Sequence, residues 1–287
     1  MTNIKQIEEN LKREAKRLLE SKEVSVVLAY ARGYDEHHPL PYAARTAGEV
    51  GNLIFNEYCT YNLARYLTKY PPKTKIAIAV KAADSRAVVQ LIQEEKVKKE
   101  DLVILGIPFI GMKDPKTGEE IDQKTTCHMA NPVLYDILLG EEIRDAGAGS
   151  PYDVLAELEA MDQAARWSFW EKEFSKCIRC FACRKACPMC YCDPCFMDAS
   201  RPRWADKSPT ADGNLMYHLT RFYHLAGRCI DCGECSRACP MDIPLHLFHK
   251  KMAKECETMF GQAAGMKIDD KPVMVNYGNQ DSDEMLK

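Results

Sequence analysis

The sequence predicts an α/β N-terminal domain with a β-α-β unit, followed by a mainly α-helical domain rich in cysteine. Three observations predict it. Two short, β-branched apolar runs flank a helical stretch between residues 75 and 107, the pattern of parallel strands joined by a crossover helix. Beyond about residue 150 the apolar residues recur at helical spacing instead. Eleven of the 14 cysteines fall within positions 177–239, whereas the first 176 residues hold Cys59 and Cys127.

In chain order, Ile4, Ile7, Leu11, Ala15 and Leu18 stand at helical intervals among charged residues, which predicts an amphipathic helix over 4–21. Residues 24–30 read as a buried strand ended by Arg32-Gly33, and a second helix is expected over about 52–66, stopped by Pro71-Pro72. Residues 75–80 and 102–107 are strands around a helix over 84–97, with Asp84 as its N-cap. Those strands should be parallel, and chemistry in such sheets sits beyond their carboxyl ends, here 81–86 and 108–113. No glycine-rich phosphate loop is present, so plain connection is the competing reading of both loops. The small-residue stretch from Asp145 to Pro151 marks a domain boundary, after which Val154, Leu155, Leu158, Met161 and Ala165 predict one long helix to Trp170. Leu215, Leu219, Phe222 and Ala226 form a further helical stripe, and 245–259 a last helix. The expected division is 1–148, 149–268 and a loosely held tail, 269–287.

The composition excludes several classes of function. With 46% hydrophobic and 28% charged residues and a net charge of -3, the chain is neither disordered nor a nucleic-acid binder working through bulk charge. No run approaches the ~20 apolar residues of a membrane span, and the polar start does not resemble a secretory signal. A cytoplasmic protein is expected. In that reducing compartment clustered thiols serve as metal ligands or redox groups in preference to disulfides.

Cys177, Cys180, Cys183 and Cys187 before Pro188, and Cys229, Cys232, Cys235 and Cys239 before Pro240, are two copies of one spacing, C-x2-C-x2-C-x3-C-P. This is the run of bacterial two-cluster ferredoxins. Three thiolates spaced by two residues wrap one face of an iron–sulfur cube, while the fourth, thrown onward by the longer gap and the proline, reaches the other cube. One [4Fe–4S] cluster is therefore expected on Cys177, Cys180, Cys183 and Cys239, and the second on Cys229, Cys232, Cys235 and Cys187. A zinc ribbon would use paired knuckles and leave the remaining cysteines without a role. Arg179, Arg184, Lys185 and Arg237 against Asp231 and Glu234 read as solvated surface charges, or else as different fields at the two clusters.

Cys190, Cys192 and Cys195 exceed what two cubes need. They supply three ligands to a third centre, iron–sulfur or zinc, completed by Cys59, Cys127 or a histidine, or they are reduced packing thiols. The histidines, among them His37, His38, His218, His224 and His246, show no catalytic spacing, and no nucleophile pair is recognisable around Cys59. No catalytic residue is assigned.

The stretches 55–67, Val80-Lys-Ala-Ala-Asp-Ser-Arg86, 106–109 and 131–140, with the cysteine block, resemble the iron–sulfur proteins related to the beta subunits of deazaflavin-reducing hydrogenase and of formate dehydrogenase. Residues 222–229 with the second motif are also similar to the α-helical ferredoxin domain of heterodisulfide reductase. The resemblance spans about 20–260 and implies a mainly α-helical dicluster ferredoxin domain. It also implies a further cluster in the first domain, on positions matching Ala83, Phe109, Lys124 and Cys127. Only Cys127 is a cysteine here, so that cluster is expected to be lost and Cys127 to be free or recruited by the extra thiols. FAD or FMN is implied for the catalytic members, although no motif here demands it.

Two functions of different class follow. The first is an accessory subunit, without catalysis of its own, that relays electrons through two [4Fe–4S] clusters within a larger anaerobic oxidoreductase complex. Its partners would be redox subunits: a flavoprotein, hydrogenase, formate dehydrogenase or heterodisulfide-reductase-like protein. The alternative is a flavin-containing oxidoreductase exchanging hydride with a nicotinamide or deazaflavin at the N-terminal domain. A structural zinc module is a third reading.

Overall fold

Asn3 caps the first helix, α1 (Ile4–Glu20), by accepting the Gln6 N–H at 3.2 Å. Ile7, Leu11, Ala15 and Leu18 are its buried residues, as the spacing predicts. The computed structural model describes residues 3–121, 127–144, 150–203, 205–206 and 208–273. Strand β1 (Val26–Ala31) is buried along its whole length because α1 covers one face of the sheet and the second half of the chain packs on the same core. β4 (Ile76–Val80), α2 (Ala82–Gln93) and β5 (Leu102–Gly106) form the expected β-α-β unit, with β4 and β5 parallel from Ile76↔Leu102 to Val80↔Gly106.

The sheet runs β2-β1-β4-β5-β6, with β1, β4, β5 and β6 (Ile137–Leu138) parallel. β2 (Leu40–Ala44) lies antiparallel on the outer side of β1, where Pro41 can forgo a ladder bond. β3 (Leu53–Ile54) pairs the end of β1, at Tyr30 and Ala31, on the edge opposite β2.

Several expectations are corrected. Residues 52–66 are not a helix: Leu53 and Ile54 join the sheet, and a 3-10 turn covers Leu63–Lys69. Asn56 and Asn62 accept the N–H of Tyr58 and Ala64 at 3.0 and 3.1 Å, local bonds that compete with a helical ladder. Asp84 is not the N-cap of α2. It stands at the third helical position, and its carboxylate accepts the Lys81 N–H at 3.0 Å and the Lys81 ammonium at 2.7 Å. The long helix to Trp170 is broken into α3 (Ala156–Ala160) and α4 (Gln163–Ser175), because Met161 is extended and Asp162 caps a new start through the Ala165 N–H at 2.8 Å.

α5 (Ala182–Ala186), α6 (Ala211–His224), α7 (Glu234–Arg237) and α8 (Leu245–Phe260) complete the helical half. The α6 stripe is also corrected: its buried residues are Asn214, Tyr217, His218 and Arg221, while Leu215, Leu219 and Phe222 are half-buried. The fold holds two cores. One surrounds the sheet and includes Cys187, Met189, Leu225 and Ile230 from the second half. The other, smaller, holds Phe174, Cys183, Met197, Tyr217, Cys239, Ile243 and Leu245. Of the expected boundary stretch, residues 145–149 lie outside the described residues, as do 274–287 of the expected tail.

Candidate metal centre

The two cysteine motifs fold alike. Both copies turn left-handed at the same two places, Arg179 and Phe181 in the first (φ 57° and 61°) and Asp231 and Gly233 in the second (φ 57° and 73°). Three of these four residues are not glycine, so each bears a cost of roughly 1–2 kcal/mol that its surroundings must offset. The turns aim backbone donors at sulfur: the Arg179 N–H lies 3.4 Å from Cys177 Sγ. A short helix follows each turn, and the chain reverses again behind each fourth cysteine, where Cys190 and Asp242 donate to the carbonyls of Cys187 and Cys239, both at 3.3 Å.

The fourth cysteines lie in different cores. Cys239 is in the helical core with Cys183, on which Cys177 and Cys235 also pack, whereas Cys187 is in the sheet core, on which Cys229 and Cys232 pack. Charge follows this division at Cys177 and Cys187, while Cys235 feels thiols of both motifs, Cys229 and Cys183. Burial raises the Cys177 thiol, and among the thiols around it Cys183 and Cys239 raise it further. Cys187 is raised by donating to Cys190 and by burial, with Cys232 adding to the effect. Burial pushes Cys229 up to about 11 and Cys235 to about 12. Arg86 and Lys250 oppose the first shift, Arg221 and Arg237 the second. Cys180 is exposed beside Ile178, itself 55% exposed.

The charged residues of the motifs are not surface groups, which corrects the expectation. Arg179, Arg184, Asp231 and Glu234 are buried and Arg237 is half-buried; Lys185 alone of the six is exposed. Arg179 is tied by Asn214 Oδ1 at 2.9 Å and the Asp206 carbonyl at 2.9 Å, and Asn214 in turn donates to the Cys177 carbonyl at 2.7 Å. Asp231 pairs with Lys250, and Glu234 with Arg237.

Donors without acceptors gather in the same region. Among the described residues every buried side-chain nitrogen or oxygen that lacks a partner lies between Arg166 and His249, on arginine or histidine. They include Arg221 Nε and Nη1 and both ring nitrogens of His218 and of His249, one donor and one acceptor on each neutral ring. A buried donor left unpaired costs about 1–3 kcal/mol, so such a concentration calls for acceptors beyond the oxygens and nitrogens of the polypeptide. The sulfides and thiolates of iron–sulfur clusters are such acceptors, and the donor set fits them. His218 is held neutral, its pKa lowered to about 3 by burial and by Arg221 and Arg179.

Cys190, Cys192 and Cys195 line one cavity of about 660 Å³ together with Arg65, Arg184, Arg221 and Arg228. Neither Cys59 nor Cys127 reaches it. Cys59 is in the sheet core against Asn56, its thiol pushed up to about 12 by burial, and Cys127 lies 3.9 Å from Arg86 Nη1. His224 lines the cavity. Among the described residues no three His, Cys, Asp or Glu side chains converge on a single-ion position, here or at the motifs.

At the carboxyl ends of β4 and β5 lies a small cavity of about 70 Å³ lined by Lys81, Asp84, Ala83, Phe109, Cys127 and Cys232. Three of the four positions tied by resemblance to a further cluster thus share one wall; Lys124 lies outside the described residues. Lys81 is engaged by Asp84 and by the Tyr61 carbonyl at 3.2 Å. A larger open groove, about 1170 Å³, runs along α1 and is lined by Glu57, Lys113, Glu141 and Glu142.

The model of the 4Fe-4S dicluster domain matches residues 173–243. The chain is 23% identical to the F420-dependent formate dehydrogenase subunit beta of Methanocaldococcus jannaschii, over 85% of this chain and 88% of that one. It is 22% identical to the F420-dependent formate dehydrogenase 1 subunit beta of Methanococcus maripaludis, over 83% and 86%. The helical half therefore carries a dicluster ferredoxin domain for two [4Fe–4S] clusters, behind an N-terminal α/β region. No described helix is long and apolar enough to cross a membrane.

Proposed function

We propose that this chain is a cytoplasmic, accessory electron-transfer subunit of a larger anaerobic oxidoreductase, of the formate dehydrogenase type that its relatives name. Cys177, Cys180, Cys183 and Cys239 hold one cluster, and Cys229, Cys232, Cys235 and Cys187 the other. The observation that supports this reading is the burial of Cys187 in the sheet core, where Cys229 and Cys232 of the other motif pack, while Cys177 and Cys183 of its own motif join Cys239 in the helical core. Bound [4Fe–4S] clusters supply one-electron transfer. The protein's share is to bury the thiols, aim Arg and His donors at them and keep water away. The first set opens to the surface at Cys180, next to exposed Ile178, which makes that edge the docking face for a partner subunit. Of the second set, Cys187, Cys229 and Cys232 are enclosed against the sheet, and Cys235 packs on the helical core. On this reading the chain divides into an α/β domain, 1–148, the cluster domain, 149–268, and a tail, 269–287. Partners beyond formate dehydrogenase subunits, namely hydrogenase, heterodisulfide-reductase-like or flavoprotein subunits, fit the same edge equally well.

The extra thiols extend the reading to a third centre on Cys190, Cys192 and Cys195. Four arginines around them suit an anionic thiolate-ligated centre, iron–sulfur or zinc. The flavin alternative has weaker support. The open groove offers three carboxylates against Lys113, the wrong sign for a flavin phosphate.

Metal, sulfide and flavin analysis of anaerobically purified protein tests the proposal. At least about eight irons per chain and no flavin are expected. Fewer than about six irons after full reconstitution would defeat the two-cluster reading. Flavin released on denaturation, with oxidation of a nicotinamide or deazaflavin by the isolated chain, would replace the relay by the flavoenzyme.

A further inference from the structure

Arg221 is a buried cation whose charge reaches thiols of both motifs. It is 2% exposed on the inner face of α6, and its Nη2 donates to the Cys183 carbonyl at 3.3 Å. The thiol that feels its charge most is Cys190, followed by Cys183 of the first proposed ligand set and Cys187 of the second, and Cys235 of the second feels it too. Its Nε and Nη1 are buried without an acceptor in the protein. No carboxylate pairs with it among the hydrogen bonds and ion pairs of the described residues, in contrast to Arg184, Arg228 and Arg237, which meet Asp198, Glu94 and Glu234. A buried guanidinium without a counter-carboxylate is costly unless anionic sulfur lies against it, the Cys190 thiolate or a cluster sulfur.

We propose that Arg221 is a positioning residue shared by the two clusters, its guanidinium donating to their sulfurs and its fixed charge raising both reduction potentials together. This rests on the two-cluster reading above. Each cube gains one negative charge when it accepts an electron, so a buried cation between the two favours the reduced form of both. A charge lying against one set only, such as Lys250 near Cys229 and Asp231, would instead separate the two potentials. The lever is burial: in the interior, unit charges interact several-fold more strongly than in water.

The test is redox potentiometry of the reconstituted full-length protein, followed by electron paramagnetic resonance, with iron counted in each sample. Arg221→Met should keep its iron while both midpoint potentials fall by at least a tenfold change in the reduction equilibrium, which is ~59 mV for a one-electron couple. Arg221→Lys, which keeps the charge, should recover most of the loss. A fully loaded Arg221→Met with both potentials at the wild-type values overturns the proposal, and so does a shift confined to one cluster. If Arg221→Met loses iron, Arg221→Gln carries the test, since it keeps an N–H donor without charge. A fall in both potentials is expected there too, and wild-type values overturn the proposal. Wild-type protein that fails to assemble two cubes is a different result and strikes the two-cluster reading itself.

Discussion

Replacing Glu94 with alanine should loosen the joint between the sheet and the cluster region. Glu94 follows α2, and both its oxygens receive Arg228, Oε1 from Nε at 2.6 Å and Oε2 from Nη2 at 2.7 Å; Tyr191 and Gln90 donate to the same carboxylate. The side chains are 11% and 23% exposed, so the pair lies between two limits. A fully buried pair that loses one partner costs ~3–5 kcal/mol, an exposed one under ~1. We expect ~2–3 kcal/mol, and at ~2–4 °C per kcal/mol for a protein of this size a fall in the apparent melting temperature of about 5 °C or more. The assay is anaerobic thermal unfolding followed by circular dichroism at one scan rate. Because alanine strands the Arg228 charge, the double variant E94A/R228A should be destabilised by ~1–2 kcal/mol less than the sum of the singles. Burial raises the Glu94 carboxyl, but hydrogen bonds from Arg228 and Tyr191 outweigh it and hold the pKa below its ordinary value. The contribution is thus complete above the unfolded carboxylate pKa of ~4.3, and the gap between wild type and E94Q should close as pH falls through the lower folded value. An E94A protein melting within about 1 °C of wild type, or strictly additive variants, would refute the reasoning.

Three further outcomes are expected. Cys187→Ser should abolish the same spectroscopic signal as Cys232→Ser and spare the one lost in Cys180→Ser; a loss shared with Cys180→Ser would mean that each motif keeps its own fourth ligand. Changing Cys190, Cys192 and Cys195 together to serine should remove metal beyond the paired cubes and leave their signals intact, whereas unchanged metal content would make them packing thiols. Cys59, buried and held protonated by its raised pKa, should resist iodoacetamide at pH 8 in the folded protein and react after unfolding; rapid labelling of the native state would contradict its placement.

What the sequence discloses and what it hides have physical causes. α1, β4 and β5 are legible because each buries a periodic or continuous apolar run long enough to outweigh its flanks. β3 and β6 have two residues each and β2 carries Pro41, so none offers a repeat to detect, and all three owe their place to pairing with strands already set. The motif cysteines are legible because ligand spacing is local. The α6 face is not, since a search for apolar stripes selects Leu215, Leu219 and Phe222, while the side chains that turn inward are Asn214, Tyr217, His218 and Arg221. Their acceptors include atoms that the sequence does not encode. Arg179, Arg184 and Asp231 pass for surface charges because the partners that go with their burial, Asn214, Asp198 and Lys250, lie outside the motifs, while Glu234 meets Arg237 three residues on.

The sheet core that incorporates Cys187, Met189, Leu225 and Ile230 bears on how the protein is made. Translation delivers α1 and every strand of the sheet before any of these four residues, so the first half leaves the ribosome with its hydrophobic centre open on one side. It closes only when the segment bearing the second cysteine motif arrives, and Cys187, Cys229 and Cys232, which pack there, are proposed to hold iron. Maturation of the metal site and completion of the α/β fold thus become one event. A nascent chain halted before Cys187 should be cut by protease within the sheet, and the full chain deprived of iron should be cut there faster than the loaded one.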